Sequence, residues 1–325
     1  MSLIESAHEF VRRYRNRDID KTALPMLASA CPGWVCYAEK THGSYILPHI
    51  SSTKSPQQVM GSLVKHHLAS VLGRSPSQVY HVTVMPCYDK KLEASRHDFY
   101  SDLYMTRDVD CVITSREVAD MLAQEDKSLA EITEQPLDSF AKVLNIDDNG
   151  TEAGELDGHQ GGGSGGYLEY ILRHSASALL GVTLDDLKYK TLRNEDLKEV
   201  TVEVNGKVEL KFAIAYGFRN IQNIVQKMKR GKLLYQFVEL MACPAGCLNG
   251  GGQLRTSGEE TAKQRLAAVE EIYTSVRINT PYDNTLIERL YTDWLGGHDT
   301  DKVKAMLHTE YHAVEKFINA LTIKW

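Results

Sequence analysis

Cys31, Cys87, Cys243 and Cys247 stand where apolar, strand-like runs give way to tight turns, in ASACPGW, VMPCYDKK and MACPAGCLNGGGQ. A fold that uses these thiols together must bring the ends of several distant strands to one place. Soft thiolates favour iron-sulfur or zinc centres, and four of them hold a cubane cluster. Thiolate alone does not choose between the metals. A structural zinc site usually draws on two short pairs such as C-x2-C. One C-x3-C pair with two widely separated single cysteines fits zinc less well. Proline follows Cys31 and Cys243 and precedes Cys87, fixing the turns, while Gly246, Gly250, Gly251 and Gly252 crowd the third segment. Their missing side chains let backbone N–H groups approach sulfur closely.

Residues 23–29, 80–86, 110–115, 208–217 and 235–243 read as buried strands, rich in β-branched or aromatic residues. Helical periodicity covers about 55–72, with Ser55 as N-cap and Pro56 at the first helical position, and recurs after about 115, 166, 217, 259, 284 and 301. Strands alternating with amphipathic helices predict an α/β fold. Cys31, Cys87 and Cys243 fall at or just beyond the C-terminal ends of expected strands, which is where open α/β sheets bind ligands.

The 325 residues suffice for about two domains at roughly 150 residues each. The acidic stretch NIDDNGTEAGELDGHQ, short of large apolar groups, marks a connection at 143–160 between a first α/β lobe (1–142) and a second (161–255). A charged helical extension follows at 256–325. A net charge of −6 carries no nucleic-acid signature, and no apolar run approaches the roughly 18 residues that span a bilayer. The first 20 residues are too charged for a signal peptide. Six cysteines in a chain this long do not make a disulfide scaffold, so reduced, metal-bound thiols in the cytosol are expected.

The three cysteine segments resemble the signature motifs of iron-only hydrogenases, and the resemblance extends to TSREV at 114–118, GGSGGYLEYILRHSA at 162–176 and AYGFRNIQN at 215–223. SPQQVMGSLVK, MPCYDKKLEASR, LRNEDLKEVT and the terminal IKW are closer still to the hydrogenase-like proteins of cytosolic iron-sulfur assembly. The resemblance implies a two-lobed fold of parallel sheets flanked by helices, with one 4Fe-4S cluster on Cys31, Cys87, Cys243 and Cys247. Lys90 falls on the lysine that holds a cyanide of the hydrogenase diiron unit, and Gly246 and Gly250 are candidates for the layer around the ligands. Ala30 replaces the proton-donating cysteine of active hydrogenases, and its side chain can neither give nor take a proton, so no hydrogen turnover is expected.

Family members open with a ferredoxin-like segment holding further cysteines, so the chain reads as N-terminally shortened, with an incomplete first lobe and without the second cluster's ligands. The implied role is a non-enzymatic adaptor, in the cytoplasm and also the nucleus. Its partners would be the early scaffold NTPases and the late targeting complex with its WD-repeat subunit, not nucleic acid or membrane. An interaction module resembling prelamin A recognition factor is the alternative, and a hydrogenase a third; the unbroken Gly250-Gly251-Gly252 after Cys243-Pro244 favours the assembly branch.

Several features read more plainly. Cys111 and Cys36 suit a core better than a metal. Gly161, Gly163 and Gly166 form a G-x-G-x-x-G pattern after a polar connection rather than a strand, so it is no nucleotide fingerprint. It is expected to aim the N-terminus of the next helix at the cleft between lobes. His308 and His312, at i and i+4 of an expected helix, lack the metalloprotease spacing of glutamate. Trp325 is a candidate aromatic anchor for the targeting complex, although Lys324 departs from the usual acidic or small residue before it.

Overall fold

A computed structural model describes residues 1–138, 143–144, 157–255, 258–281 and 284–314. Helix α1 (Ser2–Asn16) leads into strand β1 (Met26–Ala28), and Cys31 starts α2 (Pro32–Thr41). Helix α3 (Pro56–Leu63) begins as the sequence predicts, with the Ser55 side chain accepting from the Gln58 N–H. It widens into a π-type turn at Val64–Leu68. Strands β2 (Val82–Met85) and β3 (Cys111–Thr114) pair in parallel, flanked by α4 (Asp89–Ala94) and α5 (Ser115–Gln124). Thr114 closes a capping box with Glu117 at the start of α5. Beyond come α6 (Tyr167–Ser175), β4 (Lys190–Thr191), β5 (Leu197–Val204), β6 (Lys207–Tyr216), α7 (Phe218–Lys229) and β7 (Phe237–Met241).

The main sheet has the order β1-β7-β6-β5-β4. Its parallel members are β1, β7 and β6, and β7 is buried at every position, as a strand covered on both faces must be. Phe10 of α1 packs edge-on to Phe212 with ring centres 4.9 Å apart, and Phe212 stacks on Phe237 at 4.9 Å. All five strands expected from sequence are present. The hairpin β5-β6 is additional: Asn205 (φ 54°) and Gly206 (φ 76°) supply the two left-handed residues of a tight turn between the strands.

The expected lobe boundary does not follow the sheets. Strand β1 lies well before residue 143, yet it pairs with β7, matching Met26 with Phe237 and Ala28 with Glu239. Three apolar residues find their partners by sheet-edge geometry, which local composition does not encode. Residues 145–156 of the expected connection lie outside the described residues.

The C-terminal part holds α8 (Ala262–Thr274), α9 (Thr285–Arg289), a π-type turn at Leu290–Leu295 and α10 (Asp301–Leu307). Helix α10 ends at Leu307, so His308 and His312 do not share a helix face. His308 bridges Ser52 Oγ (2.9 Å) and Glu5 Oε2 (3.1 Å), and His312 meets Asp98 Oδ1 at 2.7 Å. The chain after α10 crosses the first half as an extended strap, with Thr309 N–H donating to Ser52 O and Tyr311 O–H to Ser51 O.

Candidate metal centre

Each cysteine follows a strand end. Cys31 caps α2 with Pro32 at the first helical position; its N–H donates to Ser29 Oγ (3.0 Å), and its sulfur accepts from the Ala242 N–H (3.4 Å). Cys87 sits between β2 and α4, its sulfur facing the N–H groups of Asp89 and Lys90. Cys243 lies just past β7, and its sulfur accepts from the Gly251 N–H. Ala245 (φ 58°) and Gly246 (φ 82°) then turn the chain so that Cys247 can donate its N–H to Ser164 Oγ at 3.0 Å.

The four thiols share one region. Burial, then the charges of Cys31 and Cys87, pushes Cys243 up to about 11, and burial, then Cys31, pushes Cys247 up to about 12. Cys87 is raised by burial, with Asp89 and Cys31 adding to it. Thiols that resist ionisation alone become thiolates when a cation takes the proton's place. Among the described residues, no three of the four sulfurs lie within 4.8 Å of one another.

The glycines set the walls. A Cβ on Gly250 would lie 2.1 Å from the Pro86 carbonyl oxygen, and one on Gly246 would lie 2.0 Å from Ser164 Oγ. A Cβ on Gly163 would strike Leu248 at 2.2 Å, so the glycine-rich turn before α6 is a wall of the cysteine region. At the N-terminus of α6, which the sequence aims at the cleft between lobes, the Leu168 N–H donates to Glu239 Oε2 at 2.7 Å. Ser164 escaped the sequence reading, and only its place inside the GGGSGG run hinted at a role.

Lys90 lies beside this region, and its charge eases ionisation of Cys247. Its ammonium is bound to Glu93, at 3.1 and 2.9 Å from the two carboxylate oxygens. Ala30, Cys31, Glu93, Arg96, Thr309 and Tyr311 are among the residues lining a cavity of about 30 Å³, room for a water molecule or two. Arg96 grips Glu39 through two bonds of 2.9 Å. Cys36 is half-buried and raised by burial and Glu39, and Cys111 sits in β3 opposite Val82. Trp325 lies outside the described residues.

Glu239 is a buried carboxyl behind the glycine-rich wall. It is fully buried in β7, and burial raises its carboxyl from 4.5 to about 7 despite bonds from Tyr216 O–H (2.7 Å) and Leu168 N–H. The folded chain therefore keeps a proton that the unfolded chain releases near 4.5. Stability from this group falls as pH rises from 4.5 to about 7 and is level above, a loss on the order of 3 kcal/mol. Urea midpoints at pH 5 and pH 8 should differ less in Glu239→Gln than in the wild type; equal differences would show that Glu239 does not titrate in this window.

Residues 1–251 match the family of the iron only hydrogenase large subunit, C-terminal domain, and residues 259–314 match the iron hydrogenase small subunit. The whole chain is 58% identical over 325 residues to a cytosolic Fe-S cluster assembly factor of Danio rerio and spans 77% of that protein. It is 53% identical over 324 residues to the cytosolic iron-sulfur assembly component 3 of Rattus norvegicus, spanning 66% of its length. Among solved structures, a variant of apo FeFe-hydrogenase HydA1 from Chlamydomonas reinhardtii superposes with a TM-score of 0.81 at 30% identity, over 96% of this chain and 82% of that one. The relatives carry the name of assembly factors although the fold is that of a hydrogenase, and no helix among the described residues is long and apolar enough to cross a membrane. By its full-length identity to these proteins and its match to both hydrogenase families, the chain belongs to the cytosolic Fe-S cluster assembly factors of the iron-only hydrogenase-like type.

Proposed function

We propose that this chain holds one 4Fe-4S cluster on Cys31, Cys87, Cys243 and Cys247 and serves cytosolic iron-sulfur assembly as a non-enzymatic adaptor. Its partners in this reading are the early scaffold NTPases and the late targeting complex with its WD-repeat subunit, and Trp325 is the proposed anchor on that subunit. The observation that carries the cluster assignment is the convergence of four half-buried or buried thiols, close enough to raise one another against ionisation, within walls of glycine that admit no Cβ. A bound cubane supplies a site of delocalised charge that can exchange one electron. The Ala242 and Gly251 N–H groups donate to the sulfurs of Cys31 and Cys243, offsetting negative charge in a water-poor setting.

Hydrogen turnover is absent from this reading for two reasons within the chain. Ala30 offers no proton, and the cavity beside it, crossed by the strap that carries Thr309 and Tyr311, is of the size of a water site rather than a second metal unit.

Iron and acid-labile sulfide per chain, measured with EPR after anaerobic reconstitution, test the assignment. About four of each are expected in the wild type, and little or none in Cys243→Ala. Unchanged iron in the variant, or zinc in place of iron in the wild type, would refute it.

A further inference from the structure

Away from the cysteines, α1 and the turn after Leu295 bring Glu5, His8 and His298 together, with one donor atom from each lying within 4.8 Å of the others. Glu5 and His8 are spaced i, i+3 on one helix face. The Glu5 carboxylate is buried and already oriented: Tyr291 O–H donates to Oε1 at 2.6 Å, and Oε2 lies 3.1 Å from His308 Nε2. Each oxygen keeps a further lone pair. His298 is clamped as well, stacked on Tyr291 at 4.0 Å and edge-on to His8 at 5.6 Å.

Ring packing accounts for the position of His298 but not for its nitrogens. Nε2 stands 3.5 Å from Glu288 Oε2, whereas Nδ1 is buried without a hydrogen-bond partner. A buried polar atom left in this way calls for a ligand. A histidine with one nitrogen beside a carboxylate and a donor atom within 4.8 Å of two further ligands follows the pattern that second-layer carboxylates impose on metal-bound histidines.

We propose that Glu5, His8 and His298 form a second metal site, separate from the cysteine centre, that binds a zinc-class divalent ion and staples the first helix to the C-terminal extension. Two imidazoles and one carboxylate suit zinc, whereas magnesium and calcium prefer oxygen alone and clusters require thiolates. Three protein ligands leave one tetrahedral position open. His174 borders the site, its ring 5.4 Å from that of His8. The assignment does not depend on the function of the cysteines, and its test can be read with them occupied.

The test uses the full chain with its cysteines already loaded with iron, titrated with Zn2+ by calorimetry and with Co2+ by absorption. About one Zn2+ per chain is expected beyond the iron, with affinity lowered roughly tenfold or more in His298→Gln and His8→Gln. Zn2+ should raise the melting temperature of the wild type and not of His298→Gln. Wild-type Co2+ bands typical of nitrogen and oxygen ligation would support the site even if a variant failed to fold. Thiolate-to-cobalt absorption alone, no ion beyond the iron, or equal affinity in folded His298→Gln would overturn it.

Discussion

On the proposed cluster site, a Gly250→Ala chain is expected to lose most of the iron that the wild type binds while its neighbour Gly251→Ala keeps it. The two glycines are adjacent but face different surroundings. A Cβ on Gly250 would stand 2.1 Å from the Pro86 carbonyl oxygen and 3.0 Å from that of Cys247, both backbone atoms that a rotamer change cannot clear. On Gly251 the nearest atom is Tyr88 Cδ2 at 3.9 Å, an ordinary contact. Gly250 has φ −63° and ψ 152°, allowed for any residue, so the predicted effect is steric and not conformational. The Pro86 carbonyl also accepts from the Gly252 N–H at 3.0 Å, so relieving the clash shifts the residue before Cys87 and the turn after Cys247 together. An overpacking cost near the upper end of about 1–3 kcal/mol lowers the equilibrium constant for holding all four ligands in place by roughly a hundredfold. Iron and sulfide analysis of both variants checks this, and equal iron in the two would remove Gly250 from the site's wall.

Glu9→Ala is the second large effect, and it falls on stability rather than on iron. The Glu9 carboxylate is buried and accepts from Arg13 Nε (2.9 Å), Ser51 Oγ (2.6 Å), Thr53 Oγ1 (3.3 Å) and the Ser52 N–H (3.1 Å). It joins α1 to the segment that enters α3. Removing it takes the carboxylate from Arg13, which keeps the Pro48 and Ile50 carbonyls, and leaves the Ser51, Ser52 and Thr53 donors unpaired, a loss of about 3 kcal/mol. Burial opposes its ionisation, but Arg13, Ser51 and the Ser52 N–H outweigh burial and hold the carboxyl below its ordinary 4.5. Its contribution is therefore present above that value and lost as pH falls through the lower folded value. Guanidinium midpoints at pH 7 should show the full loss, and the gap between variant and wild type should narrow in acid. A midpoint shift worth under about 1 kcal/mol would mean that water replaces the carboxylate without strain.

The parts of this architecture that were legible in the sequence are those set locally. Strands 208–217 and 235–243 announce themselves by apolar content, and Ser55-Pro56 starts α3 by capping chemistry. The cysteines could be grouped because proline and glycine mark all their turns. What local signals could not reveal is pairing across the chain. Nothing around residue 26 states that β1 joins the sheet of β7, and nothing in HTEYH states that helix α10 stops before it. Nor does the resemblance that singles out Lys90 state that Glu93, one turn on, takes its ammonium. Ser164 and Glu239 matter only because a distant N–H reaches each of them.

The bond from the Ala242 N–H to the Cys31 sulfur spans 211 residues of chain and carries a consequence in time. Cys31 leaves the ribosome long before β7 exists to receive β1. During synthesis its thiol emerges with no neighbouring ligand, and the first helix waits for Tyr291 and His308 to cover Glu5. Closing such long loops is slow compared with local folding. On the proposed ligand set, metal loading would be a post-translational event by topology alone, after an interval in which the thiols of the newborn protein are open to oxidation.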